Sequence, residues 1–189
     1  MKDLIEVRWH GRGGQGAKTA AQFLAEAALD AGKFIQAFPE YGPERAGAPM
    51  RSYTRISTQP INLHCGVVNP QYVVVIDPTL LSPAVAEGLT EQGVLLVNTS
   101  ESGECVRKKA GFKGKVATVD ATKISLDVLR QPMPNMPMLG ALLKVAPLVK
   151  LDVLYEKIKT KFLKKIGEEK TNANIAAIKK AYEQVEISL

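Results

Sequence analysis

Metal ligands are scarce in this sequence. It has two cysteines, Cys65 and Cys105, forty positions apart and outside any C-x-x-C spacing, and two histidines, His10 and His64. That supply is too small for a cysteine-bound iron–sulfur cluster or a structural zinc site, and the default reading is two reduced thiols. Aromatic residues make up 6%, too thin a set for a base-stacking surface. No apolar run approaches the ~20 residues that span a bilayer. The opening Met1-Lys2-Asp3 leads straight into a strand pattern without a signal-peptide core, so a cytoplasmic location is expected. No serine, cysteine or threonine pairs visibly with a base of its own, so no catalytic residue and no metal ligand is assigned.

Charge is plentiful but uneven. Residues 1–100 carry 8 basic and 9 acidic residues, whereas residues 101–189 carry 17 and 10. Lysine dominates the basic half, as in Arg107-Lys108-Lys109 and the run from Lys161 to Lys165. With few aromatics and little arginine, a solvated lysine face suits these residues better than nucleic-acid readout. Such a face also suits an acidic partner or a phosphorylated ligand.

The stretch that organises the chain is Trp9-His10-Gly11-Arg12-Gly13-Gly14-Gln15-Gly16-Ala17-Lys18-Thr19. Leu4, Ile5 and Val7 before it read as a strand, and Ala17 to Ala31 after it reads as a helix stopped by Gly32. Strand, glycine turn and helix together present backbone N–H groups and a helix dipole to an anion. Gly11, Gly13 and Gly16 match G-x-G-x-x-G, but the acidic residue that a dinucleotide site places about 20 positions on is missing. Ala17 separates Gly16 from Lys18, which breaks the P-loop frame. The alternative is a turn that only packs strand against helix.

Downstream, Phe34 to Phe38 is a short apolar run. Pro39 to Pro49 is a proline-stiffened loop holding Glu44 and Arg45, a candidate binding pair. Met50 to Ser57 alternates and Ile61 to Gly66 reads as its hairpin partner at a sheet edge. Tyr72 to Ile76, Val94 to Asn98 and Val116 to Val119 are apolar runs of the kind buried on both faces. Helices are expected over Thr79–Gly88, Ala121–Arg130, Met138–Ala146, Leu151–Leu163 and Asn172–Val185. The pattern predicts one domain over 1–189 with a three-layer α/β architecture: a mostly parallel sheet, helices on both faces and an antiparallel hairpin addition. Asp77, Asn98 and Asp120 end the three buried strands and should gather on the glycine-turn edge. Met138 to Ala146, apolar all round, belongs in the core or against a partner.

Four pieces, in order along the chain, carry a resemblance: His10 to Gly16, Gly42-Pro43-Glu44-Arg45 followed by Gly47-Ala48-Pro49, the Val73 to Leu80 strand and turn, and Asn135 with Leu139-Gly140-Ala141. Together they resemble the gamma subunits of 2-oxoacid:ferredoxin oxidoreductases, the group that includes pyruvate synthase. Ala46 stands where many relatives carry a second arginine. The resemblance implies a non-redox subunit in the oxidative decarboxylation of a 2-oxoacid, pyruvate first, to an acyl-CoA. It implies alpha, beta and delta companion subunits that hold thiamine diphosphate and [4Fe–4S] clusters, with ferredoxin as electron acceptor. Apart from the resemblance, the apolar Met138 to Ala146 stretch gives an isolated chain a patch through which it could pair with itself. The share expected of this chain is assembly and the binding of coenzyme A through Gly11, Arg12, Gly13, Gly14, Gln15, Gly16, Lys18, Glu44, Arg45 and Asn135. Neither nucleic acid nor membrane enters the expectation.

Overall fold

A computed structural model describes residues 3–40 and 47–189. Strand β1 (Ile5–Arg12) runs into helix α1 (Ala17–Asp30), followed by β2 (Phe34–Pro39) and β3 (Pro49–Ser57). Then come β4 (Tyr72–Val75), two single 3₁₀ turns (Pro78–Leu80 and Pro83–Ala86), β5 (Val94–Asn98), α2 (Gly103–Ala110) and β6 (Lys115–Val119). The chain closes with α3 (Ala121–Leu129), α4 (Asn135–Val145), α5 (Leu151–Gln184) and β7 (Glu186–Ser188). The seven strands form one sheet in the order β2-β3-β1-β4-β5-β6-β7. Strands β1, β4, β5 and β6 are parallel neighbours, while β3 and β7 run against them.

Side-chain alternation divides this sheet between two cores. Val7, Trp9, Val74, Leu96 and Ala117 point to the larger one, built with α1, α3, α4 and α5. Val73, Val75, Leu95, Val97 and Val116 point to the smaller one, beneath the 3₁₀ turns and α2. Burial on both faces is why β4 and β5 are apolar without interruption. The third layer ends at β1. There Arg8 donates to Val85 O at 3.0 Å, and Arg55 is held by Glu6 at 2.8 Å and by Gln36 at 3.1 Å.

Four expectations change. Met50 to Ser57 is a strand, but its partners are β1 and β2, not Ile61 to Gly66. The latter segment stays irregular because the Gln36 amide takes its carbonyls, donating to Leu63 O at 2.9 Å and Ile61 O at 3.3 Å. Thr79 to Gly88 forms 3₁₀ turns rather than a helix, with Pro78 and Pro83 each opening one. The two C-terminal helices are halves of α5, broken at Gly167 (φ 81°, ψ 170°) and bridged where Thr171 Oγ1 donates to Gly167 O at 2.7 Å. Helix α4 is enclosed by α1, α3 and α5, every residue from Asn135 to Leu143 being buried, so it offers no face for self-association. Among the described residues no helix is long and apolar enough to cross a membrane.

Candidate functional site

The chain leaves β1 toward the larger core through α1, and leaves β4 toward the smaller core through the 3₁₀ turns. Where neighbouring parallel strands send their connections to opposite faces, a crevice opens outside their carboxyl ends. The glycine turn and Asp77 meet in that crevice.

The turn is locked from several sides. Gln15 bridges it: Nε2 donates to Asp77 Oδ2 at 2.6 Å, and Oε1 accepts from Arg12 N at 2.8 Å. Arg12 lies 3.3 Å from Asp77 Oδ2 and donates to Thr79 Oγ1 at 2.9 Å and Gly47 O at 3.2 Å. Thr79 donates to Asp77 Oδ1 through its N–H at 2.9 Å and its hydroxyl at 2.6 Å. Burial by itself would raise the Asp77 carboxyl. The bonds from Thr79 and Gln15, with the Arg12 charge, outweigh it and hold the group below its ordinary value.

That lock sorts the glycine-turn residues by role. Gly11 faces inward, where a Cβ would stand 3.2 Å from Cβ of Ala17, so it sets how closely strand and helix pack. Gly13 N already donates to Ala48 O at 2.9 Å, and Gln15 N to Arg12 O at 3.1 Å. Gly14 (φ +96°) faces open space, and Gly16 (φ +79°) is the N-cap of α1. The first helical bond runs from Ala20 N to Gly16 O at 2.9 Å. The N–H groups of Ala17, Lys18 and Thr19 therefore precede the helix ladder and have no helical acceptor. No acidic residue occupies the first turn of α1, and Lys18 is exposed beside it. The backbone groups left open are thus fewer than the motif holds, centring on Gly14, Gly16 and the head of α1. Arg12 serves as a clamp whose charge is already met.

Asn135, far along the chain, joins the site. Its amide packs on Gly16, with Nδ2 donating to Gly16 O at 3.5 Å. Gly14, Gly16, Thr19 and Asn135 line a cleft of about 630 Å³ together with apolar residues such as Leu129, Met133, Phe162 and Ile166 and with the polar Arg130, Gln131, Glu169, Lys170 and Asn174. Glu44 and Arg45 lie outside the described residues. Of the three polar strand ends, only Asp77 reaches the turn. Asn98 instead donates to Ile76 O and Thr122 Oγ1, both at 2.8 Å, and Asp120 caps α3 by accepting from Lys123 N at 2.8 Å. A second cleft of about 890 Å³ at the ends of β5 and β6 is edged by Glu101, Asp120, Asp127, Glu183 and Glu186 against Lys123 and Lys180, a net acidic field unsuited to an anion.

Asp77 stands at the turn as its place at the end of β4 predicts, whereas the roles of Thr79 and Thr19 escaped the motif reading. The Asp-Pro step after β4 was the available sign for Thr79, and Thr19 had none. His10 is buried on the face of β1 away from the larger core. Burial first, then the charges of Arg8 and Arg51, press its imidazole down to about 3, and its Nε2 accepts from Arg8 Nε at 3.1 Å. It works as a neutral structural acceptor. His64 is exposed on the irregular segment after β3.

A family model described as pyruvate ferredoxin/flavodoxin oxidoreductase matches residues 6–184. The chain is similar to pyruvate synthase subunit PorC of Thermotoga maritima, 54% identical over 187 residues that cover 99% of this chain and 97% of that one. It is also 47% identical over 186 residues to the pyruvate/ketoisovalerate oxidoreductases common subunit gamma of Pyrococcus furiosus, covering 97% of this chain and 98% of that one. The crystal structure of the Thermotoga maritima pyruvate oxidoreductase subunit PORC superposes with a TM-score of 0.91 at 52% identity, covering 99% of both chains. With its α/β fold, its glycine turn and these matches along nearly its whole length, the chain belongs to the pyruvate ferredoxin/flavodoxin oxidoreductase family, on the side of its gamma subunits.

Proposed function

We propose that this chain serves a pyruvate-using 2-oxoacid:ferredoxin oxidoreductase by binding the diphosphate of coenzyme A at the glycine turn and closing that side of the active site. One observation carries the reading: unladdered N–H groups at the head of α1, with Lys18 beside them, in a switch-point crevice free of first-turn acids. The relatives' names, pyruvate synthase and pyruvate/ketoisovalerate oxidoreductase, support pyruvate as the 2-oxoacid, with branched-chain acids next. Thiamine diphosphate, which supplies the decarboxylation chemistry, and the [4Fe–4S] clusters are assigned to the alpha, beta and delta subunits, with ferredoxin as acceptor. Two thiols without a metal-binding grouping among the described residues agree with that division.

Steady-state kinetics on the assembled complex, with coenzyme A varied, test the proposal. Lys18→Glu and Gly14→Val are expected to raise the KM for coenzyme A about tenfold or more, the lower end of what a charge-assisted hydrogen bond contributes. Decarboxylation of pyruvate should stay near the wild-type rate. A purely structural scaffold predicts looser assembly and an unmoved KM, and an unchanged KM in intact complexes of both variants overturns the proposal. Purified alone, the chain is expected to be colourless and inactive toward 2-oxoacids, which an absorption spectrum and a dye-reduction assay check.

A further inference from the structure

The lysines of α5 fall into two groups. Lys157, Lys161 and Lys180 tie the helix to its neighbours, reaching Asp30 and Glu26 on α1 and Asp127 on α3. Lys164, Lys165 and Lys170, beside the break at Gly167, form no ion pair with any described residue. Neither does Arg130, which lines the cleft with Lys170. Glu168 and Glu169 follow Gly167, where the dipole of the second half-helix accounts for them. Four cations against two carboxylates leave the break net basic.

Large apolar side chains crowd the same place. Leu163 is 48% exposed and Ile166 37%, one turn apart on the same side of the helix. Met133, 45% exposed, lines the cleft with Ile166. The larger core takes Phe162 from this turn and leaves Leu163 and Ile166 out. Exposed apolar groups gathered inside a charged rim mark a protein-binding surface.

We infer that the break in α5, with Met133, is a docking surface for a companion subunit that presents an apolar side chain flanked by carboxylates. This rests on the coenzyme A reading in one respect. A ligand held in this cleft has to reach a reaction centre on another subunit, so the rim formed by Met133 and Ile166 turns toward that subunit. Charge sets the partner's chemistry, because a net basic rim attracts carboxylates and repels cations. A second copy of this chain would bring the same lysines to the contact, which counts against self-pairing there.

The test is competition for assembly. Equal amounts of wild-type and variant chain are offered to limiting alpha, beta and delta subunits, and mass spectrometry reads their ratio in the purified complex. Wild type is expected to exceed Leu163→Glu about tenfold or more, since the new carboxylate meets the partner's own. It should also exceed the Lys164→Glu/Lys165→Glu double variant, by a margin that shrinks at high salt. Lys179→Glu, on the same helix but away from the break and likewise without an ion pair among the described residues, should be incorporated as wild type. All four side chains are exposed, and thermal unfolding of each chain checks its fold. Equal incorporation of Leu163→Glu overturns the inference, as does loss of Lys179→Glu to the same degree. So does a Leu163→Glu variant that competes equally but no longer self-associates, or no longer sediments with phosphatidylglycerol vesicles, for the surface then belongs to a second copy or to lipid. The KM for coenzyme A in Lys18→Glu judges the ligand separately. A raised KM with equal incorporation sinks only the docking surface, and an unmoved KM with lost incorporation sinks only the coenzyme A reading.

Discussion

Gly16 and Asn135, 119 positions apart, are packed so closely that a Cβ on Gly16 would stand 2.8 Å from Cγ of Asn135. The glycine does two jobs there. It holds a left-handed backbone at the head of α1 and leaves room for the amide that opens α4.

Gly16→Ala is therefore expected to lower stability by about 2–4 kcal/mol, combining a left-handed alanine with overpacking. Adding Asn135→Ala should remove the steric share and leave the backbone share. A double-mutant cycle by denaturant unfolding is expected to show about 1 kcal/mol or more of coupling. Additive losses would mean that the contact is slack.

Asp77 ties the turn to β4 through Gln15, Arg12 and Thr79. Asp77→Asn is expected to reduce stability at pH 7 by roughly 1.5–3 kcal/mol, the range for hydrogen bonds to a charged group. The folded carboxyl sits below its unfolded value, so its contribution is complete above the unfolded value and is lost as pH falls through the folded one. The gap between wild type and variant should accordingly narrow in acid. Paired urea titrations at neutral and acidic pH would show this.

His10 makes the fold sensitive to mild acid. Its imidazole is held at about 3 against an ordinary 6.5, so between those values the unfolded chain takes up a proton that the folded chain refuses. Stability from this group is complete above the unfolded value and declines as pH falls toward the folded one, by about 2 kcal/mol from pH 7 to pH 5. His10→Gln, which keeps an acceptor for Arg8, should flatten the pH profile by that amount. A profile as steep as wild type would assign the acid sensitivity elsewhere.

Gly140 brings α4 against α5. A Cβ there would lie 2.8 Å from the carbonyl carbon of Ile178, backbone that cannot swing aside. Gly140→Ala should cost about 1–3 kcal/mol despite the better helix propensity of alanine. Thermal unfolding checks the sign, and a stabilised variant would show that the two helices can part freely.

The sequence by itself determined what depends on near neighbours. The strand–glycine–helix order around Gly11 to Gly16 and the unbroken apolar runs of β4 and β5 are local patterns. So is the polar residue that ends each buried strand, because burial on two faces leaves a polar side chain only at the exit. Tertiary structure decided what depends on distant chain segments meeting. Ile61 to Gly66 alternates well enough for a strand, but Gln36 takes its carbonyls and β3 finds its partners in β1 and β2. Arg12 looked like a free cation until folding brought Asp77 and Thr79 to it. Met138 to Ala146 could have faced a partner, and only the packing of α1, α3 and α5 around α4 placed it in the core. The packing of Asn135 on Gly16 is likewise a property of no single segment, since it exists only because α4 starts where the turn before α1 ends.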